Sequence, residues 1–170
     1  MMRADTWFAL EVLWLFLPIA AANQMGHFPY WKEPVWVWGL GSNKTWGAYA
    51  GGPLFAVAVT ALWWDIEPAL SARFGVRTLG DALALGTLIG LGVVIGDQTN
   101  SFVKRRRDFK SGAPSITDRF DWALGGGLAA LAFVPNVEPT HVGALVDMAI
   151  PLHVYFNRNS HRRGWRKTEH

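Results

Sequence analysis

The residues best suited to chemistry lie in segment 96–125, which reads GDQTNSFVKRRRDFKSGAPSITDRFDWALG. If a helix continues past position 96, four polar side chains recur at intervals of four, three and four residues and share one helix face. These are Asp97, Ser101, Lys104 and Asp108. The spacing therefore predicts a polar stripe at the end of an otherwise apolar helix.

Two further carboxylates follow a break in this pattern at 111–114. Asp118 and Asp121 are three residues apart at the expected start of the next helix, so we expect them to share a face as well. The helix dipole favours acidic side chains at such a position whatever they do there. Their position alone therefore assigns them no function.

The segment as a whole combines three carboxylates with a basic cluster at 104–107 and Lys110. Carboxylate oxygens are suitable ligands for Mg²⁺, and Lys and Arg neutralise phosphate oxygens. A basic cluster beside a membrane can also simply set topology or bind anionic lipids. That alternative does not account for Asp97, which ends a long apolar run where a carboxylate is costly without a partner or a task. The residue types therefore predict a nucleotide site.

A second polar segment, GSNKTWG at 41–47, precedes another apolar run. Asn43, Lys44 and Thr45 stand between glycines where a helix is expected to begin. Backbone amides, an ammonium group and a hydroxyl in this position could bind phosphate. The spacing of a Walker A loop is absent, so the segment is weak evidence by itself.

The remaining polar residues give weaker indications. His153 and Asn157 share a helix face and could reach the site, although a histidine that packs between helices explains the pattern equally well. Asp147 lies inside an apolar run and is a functional candidate for that reason. The chain has no cysteine and no Ser-His-Asp arrangement, which excludes thiol chemistry and gives no support to acyl transfer.

Five apolar runs must position these residues. A run of about 17 residues extends about 25 Å as a helix, near the lower limit for a bilayer core. The composition is 51% hydrophobic and only 17% charged, which is unusual for a soluble domain. Glu11 interrupts the first run and no cleavage site follows, so we interpret it as a span and not a signal peptide. The sequence predicts a single all-α integral-membrane domain over 1–170, with five transmembrane helices at roughly 6–22, 48–64, 79–96, 121–134 and 142–156.

The basic residues indicate the orientation of these spans. Thirteen of the 16 Lys and Arg residues fall in the first loop, the third loop and the C-terminal tail, and three lie on the other side. By the positive-inside rule, the N-terminus is outside and the C-terminus is cytoplasmic. We therefore expect a multi-pass protein of the cell membrane whose site faces the cytoplasm.

Ordered motifs over nearly the whole chain resemble the membrane CTP-dependent cytidylyltransferases. A Ser-x2-Lys-Arg-x4-Lys pattern at 101–110, followed by Asp-Arg-x-Asp at 118–121, resembles the signature of the phosphatidate cytidylyltransferases. The five-span frame, Asn23 in the first loop, Lys44-Thr45, Gly96-Asp97 and Pro-Leu-His at 151–153 are similar to the archaeal branch, the CDP-archaeol synthases. Longer bacterial members carry His-Gly-Gly where this chain reads SGAP at 111–114, which favours the archaeal branch.

The resemblance implies transfer of CMP from CTP to a membrane lipid phosphate of the 2,3-bis-O-geranylgeranylglycerol 1-phosphate type, with release of pyrophosphate. It implies catalysis by Asp97, Lys104, Asp118 and Asp121, with Mg²⁺ held by the three aspartates and a second cation as an option. The residues implied in nucleotide binding are Asn43, Lys44, Thr45, Ser101, Arg105 and Lys110.

Two alternatives stay open at this point. One is a CDP-diacylglycerol synthase that acts on phosphatidate, and the other is a non-catalytic membrane scaffold or small transporter component. The expected partners are the lipid phosphate, CTP and the bilayer, without nucleic acid. A homodimer is one option for the assembly state.

Overall fold

The computed structural model describes residues 4–25, 31–42, 44–110 and 113–162, with the backbone alone for residue 25 and for 156–162. Over these residues the fold is helical, apart from one isolated β-bridge between Pro34 and Thr45. The elements in chain order are α1 (Ala4–Met25), α2 (Val37–Leu40), α3 (Trp46–Ile66), α4 (Pro68–Arg73), α5 (Leu79–Arg106), a 3₁₀ helix (Thr117–Arg119), α6 (Asp121–Phe133) and α7 (Pro139–Arg162). The predicted all-α class is confirmed.

The five long helices occur where the five apolar runs predicted them. Within the described ranges, α1 and α5 are long and apolar enough to cross a membrane, by length and composition. The apolar helix α6 is shorter, with 13 residues. The count of five spans therefore stays a prediction.

Helix α5 is the centre of the bundle. It packs between α3 and α6, and α1 contacts all three of these helices. Two glycines make this packing close. A Cβ atom at Gly90 would lie 2.3 Å from the Cα of Pro53, and one at Gly96 would lie 2.4 Å from the carbonyl oxygen of Asp121. Because any other side chain would clash at these positions, both glycines are required for the close packing of α5 against α3 and α6.

The ends of α5 are defined by local hydrogen bonds. At its start, the Thr78 side chain accepts from the Asp81 amide and the Asp81 side chain accepts from the Thr78 amide, which forms a capping box. At its end, Asp108 adopts a positive φ of 57°, and the Phe109 amide donates to the Lys104 carbonyl at 3.1 Å. The helix therefore continues nearly three turns past Gly96 before the chain turns back.

Polar contacts join the helix ends that are remote from the predicted site. Glu11 of α1 forms an ion pair with Arg73 at the end of α4 and contacts the buried His141 of α7. The Glu138 amide donates to Nδ1 of His141, so the hydrogen of the neutral ring lies on Nε2 and is donated to Glu11. Asn136, between α6 and α7, donates to the Arg73 carbonyl. These contacts bring the start of α1, the α4 region and the start of α7 to one end of the bundle.

Candidate active site

The predicted stripe forms on α5, but it is shorter than expected. Asp97, Ser101 and Lys104 lie on successive turns of the continuous helix, with Ser101 buried and the other two partly buried. The inclusion of Asp108 was wrong. Its positive φ places it after the helix has ended, where its side chain is exposed.

Lys104 connects α5 to the 3₁₀ helix. Its ammonium nitrogen lies 2.7 Å from Asp118 Oδ1 and donates a second hydrogen bond, of 3.0 Å, to the Ala113 carbonyl. The other carboxylate oxygen of Asp118 accepts from the Ser115 amide at 2.7 Å. Partial burial acts to raise the pKa of Asp118, but the hydrogen bonds from Lys104 and Ser115 outweigh it, so its pKa lies below the ordinary value. Asp118 is therefore an ionised carboxylate held in place from two sides.

Asp118 and Asp121 are not on one helix, which corrects the expectation from their spacing. Asp118 belongs to the 3₁₀ helix and Asp121 is the first residue of α6. Between them, Phe120 leaves the helical conformation, with φ of −144° and ψ of −7°. Asp121 is buried, and its Oδ1 accepts from the Trp122 amide at 2.7 Å. The close contact of α6 with Gly96 sets this carboxylate beside α5.

Asn100 joins the two carboxylates, and sequence reasoning missed it. Its Nδ2 lies 2.7 Å from Asp118 Oδ1 and 2.6 Å from Asp121 Oδ2. Its Oδ1 accepts from the Thr117 hydroxyl at 2.6 Å. The signal was present in the sequence, because Asn100 stands three residues after Asp97 and four before Lys104 and so belongs to the same helix face.

A second ion pair connects the first loop to α5. The Lys44 ammonium donates to both carboxylate oxygens of Asp97, and the side chains are 21% and 38% exposed. The pair borders a small cleft of about 30 Å³ between α1, α3 and α5, which Asn23 and Tyr49 also line. The structure thus brings Lys44 to the site, as predicted. Asn23 lies in the last turn of α1 and not in the first loop, because α1 continues to Met25.

The rest of the first loop differs from the expected phosphate cradle. Asn43 lies outside the described residues. Thr45 precedes α3 without a side-chain capping bond. The amides of Lys44, Trp46 and Gly47 donate to loop carbonyls, so these three groups are already hydrogen-bonded within the loop.

Arg105 and Lys110 lie at the outer edge of the site. Nη2 of Arg105 donates to the Lys110 carbonyl at 2.6 Å, which ties the turn after α5 to the helix. The buried Nε of Arg105 has no hydrogen-bond partner among the described residues. The Lys110 side chain is exposed. The structure therefore holds the main chain of Lys110 near Arg105, while its side chain is exposed.

The three candidate residues on α7 do not form one group. His153 is partly buried, and the side chain of Asn157 is outside the description. Asp147 is exposed on the outer surface of α7 and thus lies apart from the acidic residues around Asn100. The 3₁₀ helix contacts α7, so α7 also borders the site.

Within the described ranges, no three acidic, histidine or cysteine side chains are gathered closely enough to hold one metal ion. Asp97 is near enough to Asp121 for their charges to interact, but it faces Lys44. Asp118 and Asp121 come nearest to a shared ion site, because an oxygen of each lies within hydrogen-bonding distance of the same atom of Asn100. Paired carboxylates can hold a cation, and a neighbouring lysine such as Lys104 can neutralise a phosphate.

The structure is a helical bundle with carboxylates and lysines gathered at one end, and these groups are suited to nucleotidyl transfer because they can bind a cation and phosphates. A family model described as "CarS-like: CDP-archaeol synthase" matches residues 6–167. The chain belongs to the CDP-archaeol synthase family, and it is therefore a cytidylyltransferase.

Individual relatives agree with this family. The chain is 32% identical to the CDP-archaeol synthase of Thermococcus kodakarensis, over 90% of this chain and 91% of the relative. It is 31% identical to that of Thermococcus gammatolerans, over 91% and 92%. A solved structure described as an intramembrane enzyme for archaeal membrane lipid biosynthesis superposes with a TM-score of 0.73 at 24% identity, covering 87% of this chain and 93% of the other. This last likeness shows that the two proteins share a fold.

Proposed function

We propose that the chain transfers CMP from CTP to a membrane lipid phosphate of the 2,3-bis-O-geranylgeranylglycerol 1-phosphate type. The products are a CDP-archaeol-type lipid and pyrophosphate. Membership of the CDP-archaeol synthase family supports the reaction. At the level of residues, the observation that carries the proposal is the convergence of Asp118 and Asp121 on one atom of Asn100, beside the Lys104 ammonium.

The reaction needs no protein nucleophile. An oxygen of the lipid phosphate attacks the α-phosphorus of CTP, the new bond is a phosphoanhydride, and the bond to the β-phosphate breaks so that pyrophosphate leaves. Phosphoryl and nucleotidyl transfers of this kind depend on positioning and on charge neutralisation. The site offers groups for both purposes without cysteine, serine or histidine chemistry.

Lys44 and Lys104 are the residues that we assign to the phosphates. Each ammonium group is partly buried and donates to a carboxylate. Moving from a carboxylate to a phosphate oxygen conserves a charge-assisted hydrogen bond, so the exchange avoids leaving a lysine desolvated and unpaired. Arg105 and Lys110 would contact the nucleotide from the outer edge, and Asn43, Thr45 and Ser101 are further candidates from the sequence motifs.

Mg²⁺ fits the donor set of Asp118 and Asp121, with Asp97 as a third carboxylate once Lys44 has moved. When bound, such an ion neutralises and orients the triphosphate. Hydrogen bonds already hold the two carboxylates in position to bind the ion. Asp118 is fixed by Lys104 and the Ser115 amide, and Asp121 by the Trp122 amide and Asn100. A second cation is compatible with three carboxylates.

The proposed topology is one multi-pass membrane domain with five spans and a site on the cytoplasmic face. The contacts of Glu11, Arg73, Asn136 and His141 lie at the end opposite to the site, and this arrangement supports the proposal of alternating spans. The excess of Lys and Arg at the site's end supports a cytoplasmic location, where CTP is available. The lipid would enter from the bilayer, with its phosphate at the level of Asp97.

The test is a CDP-lipid assay with purified full-length protein in lipid nanodiscs. The wild type should convert CTP and an ether-linked lipid phosphate to CDP-lipid, and Asp118→Asn and Asp121→Asn should lower kcat by about a hundredfold or more. Asp65→Asn, an exposed change at the opposite end of α3, is the matched control and should leave turnover unchanged. Near wild-type turnover of either site variant would contradict the assignment.

The same assay separates the alternative substrate. Ether-linked and ester-linked lipid phosphates are offered together and the products are resolved by mass spectrometry. Preference for the ether lipid supports the CDP-archaeol-type reaction. Preference for phosphatidate would assign the chain to CDP-diacylglycerol synthesis instead.

A further inference from the structure

We infer that Asn100 reverses its side-chain amide when a divalent cation enters between Asp118 and Asp121, and thereby becomes a ligand of that cation. In the structure described here the NH₂ group faces the carboxylates. With a cation bound, the carbonyl oxygen faces them. This inference rests on the proposed function, because it assumes that the carboxylate pair binds a cation.

Both polar groups of the Asn100 side chain have hydrogen-bond partners in the structure. The two hydrogens of Nδ2 are directed to Asp118 Oδ1 at 2.7 Å and Asp121 Oδ2 at 2.6 Å. The carbonyl oxygen accepts from the Thr117 hydroxyl at 2.6 Å. Asn100 thereby links two carboxylates on different elements, the 3₁₀ helix and α6, to the rigid helix α5, and it keeps these two negative groups together without an ion.

The present orientation is incompatible with a bound cation. A cation coordinated by Asp118 and Asp121 would face the positive ends of two N–H dipoles at short distance. Rotation of the terminal amide by half a turn replaces the nitrogen with an oxygen of nearly the same size. An amide oxygen is a suitable ligand for a hard divalent cation, so the rotation converts repulsion into attraction.

Thr117 and Ser115 make this rotation possible without breaking the hydrogen-bond network. A hydroxyl can donate or accept, so Thr117 can accept from Nδ2 after having donated to Oδ1. The hydroxyls of Ser115 and Thr117 are 2.7 Å apart, and either can be the donor. Thr117 can therefore turn its hydrogen to Ser115 when the amide rotates. Asn100, Thr117 and Ser115 form an amide relay in which each of the three side chains keeps at least one hydrogen-bond partner in both states.

The relay is confined to the carboxylate pair and does not involve Asp97. Lys104 shares Asp118 Oδ1 with Asn100, so this oxygen keeps one donor when the amide turns away. Asp121 keeps the Trp122 amide in the same way. The carboxylates therefore stay in position during the exchange, and the cation enters a site whose geometry exists beforehand.

The direct test is NMR spectroscopy of the full-length protein in detergent micelles, with isotope-labelled asparagine side chains. Asn100→Asp identifies the Asn100 signal by its loss. Addition of Mg²⁺ should shift the Asn100 NH₂ signal in a saturable manner, because its acceptors change from carboxylates to a hydroxyl. Asn136, whose amide donates to the Arg73 carbonyl at the other end of the bundle, is the internal control and should not move.

Cation binding to the variants gives an independent readout. Mn²⁺ affinity is measured by electron paramagnetic resonance without CTP or lipid. Asn100→Leu, which offers no oxygen, should bind Mn²⁺ about tenfold more weakly than the wild type, in line with losses seen for groups that support metal ligands. Asn100→Asp, which keeps an oxygen but no donor, should bind at least as tightly, and its cation-free form should have a lower melting temperature than the wild type. Asn136→Asp should match the wild type in both measurements.

An unchanged Asn100 signal at saturating Mg²⁺, or equal Mn²⁺ affinity of a folded Asn100→Leu variant and the wild type, would overturn the inference. If Asn100→Leu does not fold, the inference is tested by the Asn100 NH₂ signal of the wild type and by the Mn²⁺ affinity of Asn100→Asp. Failure of the proposed function looks different. In that case the wild type binds Mn²⁺ and the Asn100 amide shifts, yet CTP and lipid phosphate give no CDP-lipid.

Discussion

Replacement of Lys104 by methionine removes one positive charge from the site while it keeps the length and apolar stem of the side chain. The Lys104 ammonium is 2.7 Å from Asp118, and the two side chains are 12% and 24% exposed. Exposed ion pairs contribute about 0–1 kcal/mol, whereas removal of one partner of a buried pair costs about 3–5 kcal/mol. The partial burial of this pair places the expected loss of folding free energy between these limits, at about 1–3 kcal/mol.

The loss of activity should be larger than the loss of stability. Removal of one group that neutralises developing charge costs about 3–4 kcal/mol in the transition state, which corresponds to a decrease of roughly a hundredfold to a thousandfold. We therefore expect Lys104→Met to lower kcat/KM for CTP by at least about a hundredfold, with the largest effect at low CTP concentration. Steady-state kinetics in nanodiscs, with the fraction of folded protein measured in parallel, tests this.

Arg107→Met is the matched control for Lys104→Met. Arg107 belongs to the same basic cluster but follows the end of α5 and has an exposed side chain. Arg107→Met removes the same charge from the same side of the membrane as Lys104→Met, so effects on insertion or on binding of anionic lipids should appear in both variants. If the two variants lose activity equally, or if Lys104→Met stays within about threefold of the wild type, the phosphate role of Lys104 is refuted.

Three further changes test other parts of the structure. Gly96→Ala should lower the free energy of unfolding by about 1–3 kcal/mol and reduce cation-dependent activity, because the new Cβ would lie 2.4 Å from the Asp121 carbonyl oxygen. Thermal melting measures the first effect and the CDP-lipid assay measures the second. Folding lowers the pKa of Asp118, so its contribution to stability is present above its unfolded-state pKa of about 4 and is lost as the pH falls through the folded-state pKa. In denaturant titrations, the free energy of unfolding of the wild type should therefore lose this contribution below about pH 4. Asp118→Asn should lack that component of the pH dependence. Glu11→Gln should lower the melting temperature through its weakened contacts with Arg73 and His141, but the turnover of the folded fraction should equal that of the wild type, since this cluster lies at the end remote from the site.

The sequence predicted the helices well because their signals are local. Apolar runs defined the five long helices, and the four-and-three spacing of Asp97, Ser101 and Lys104 identified a face that the continuous helix α5 presents. The close packing at Gly96 follows from residue size alone, so it was also predictable. The sequence predicted that Lys44 and Asp97 belong to one site, but it did not predict that they form an ion pair.

The errors have a common physical origin in the segments where a helix ends. Asp108 fits the periodicity of α5, but periodicity does not reveal that a residue with positive φ ends the helix. The spacing of Asp118 and Asp121 suggested one helix face, whereas the break at Phe120 separates them. Asn100 occupies the stripe as regularly as its charged neighbours, but an uncharged amide adds nothing to the charge pattern from which the site was predicted.

The most direct test of the central claim follows the phosphorus atoms of CTP. Purified wild-type protein in nanodiscs is incubated with Mg²⁺, an ether-linked lipid phosphate and CTP that carries a radioactive label at either the α or the γ position. We expect the α label to appear in the lipid fraction and the γ label in pyrophosphate. Appearance of the γ label in the lipid would indicate a kinase, and absence of both labels from the lipid would contradict transfer of CMP.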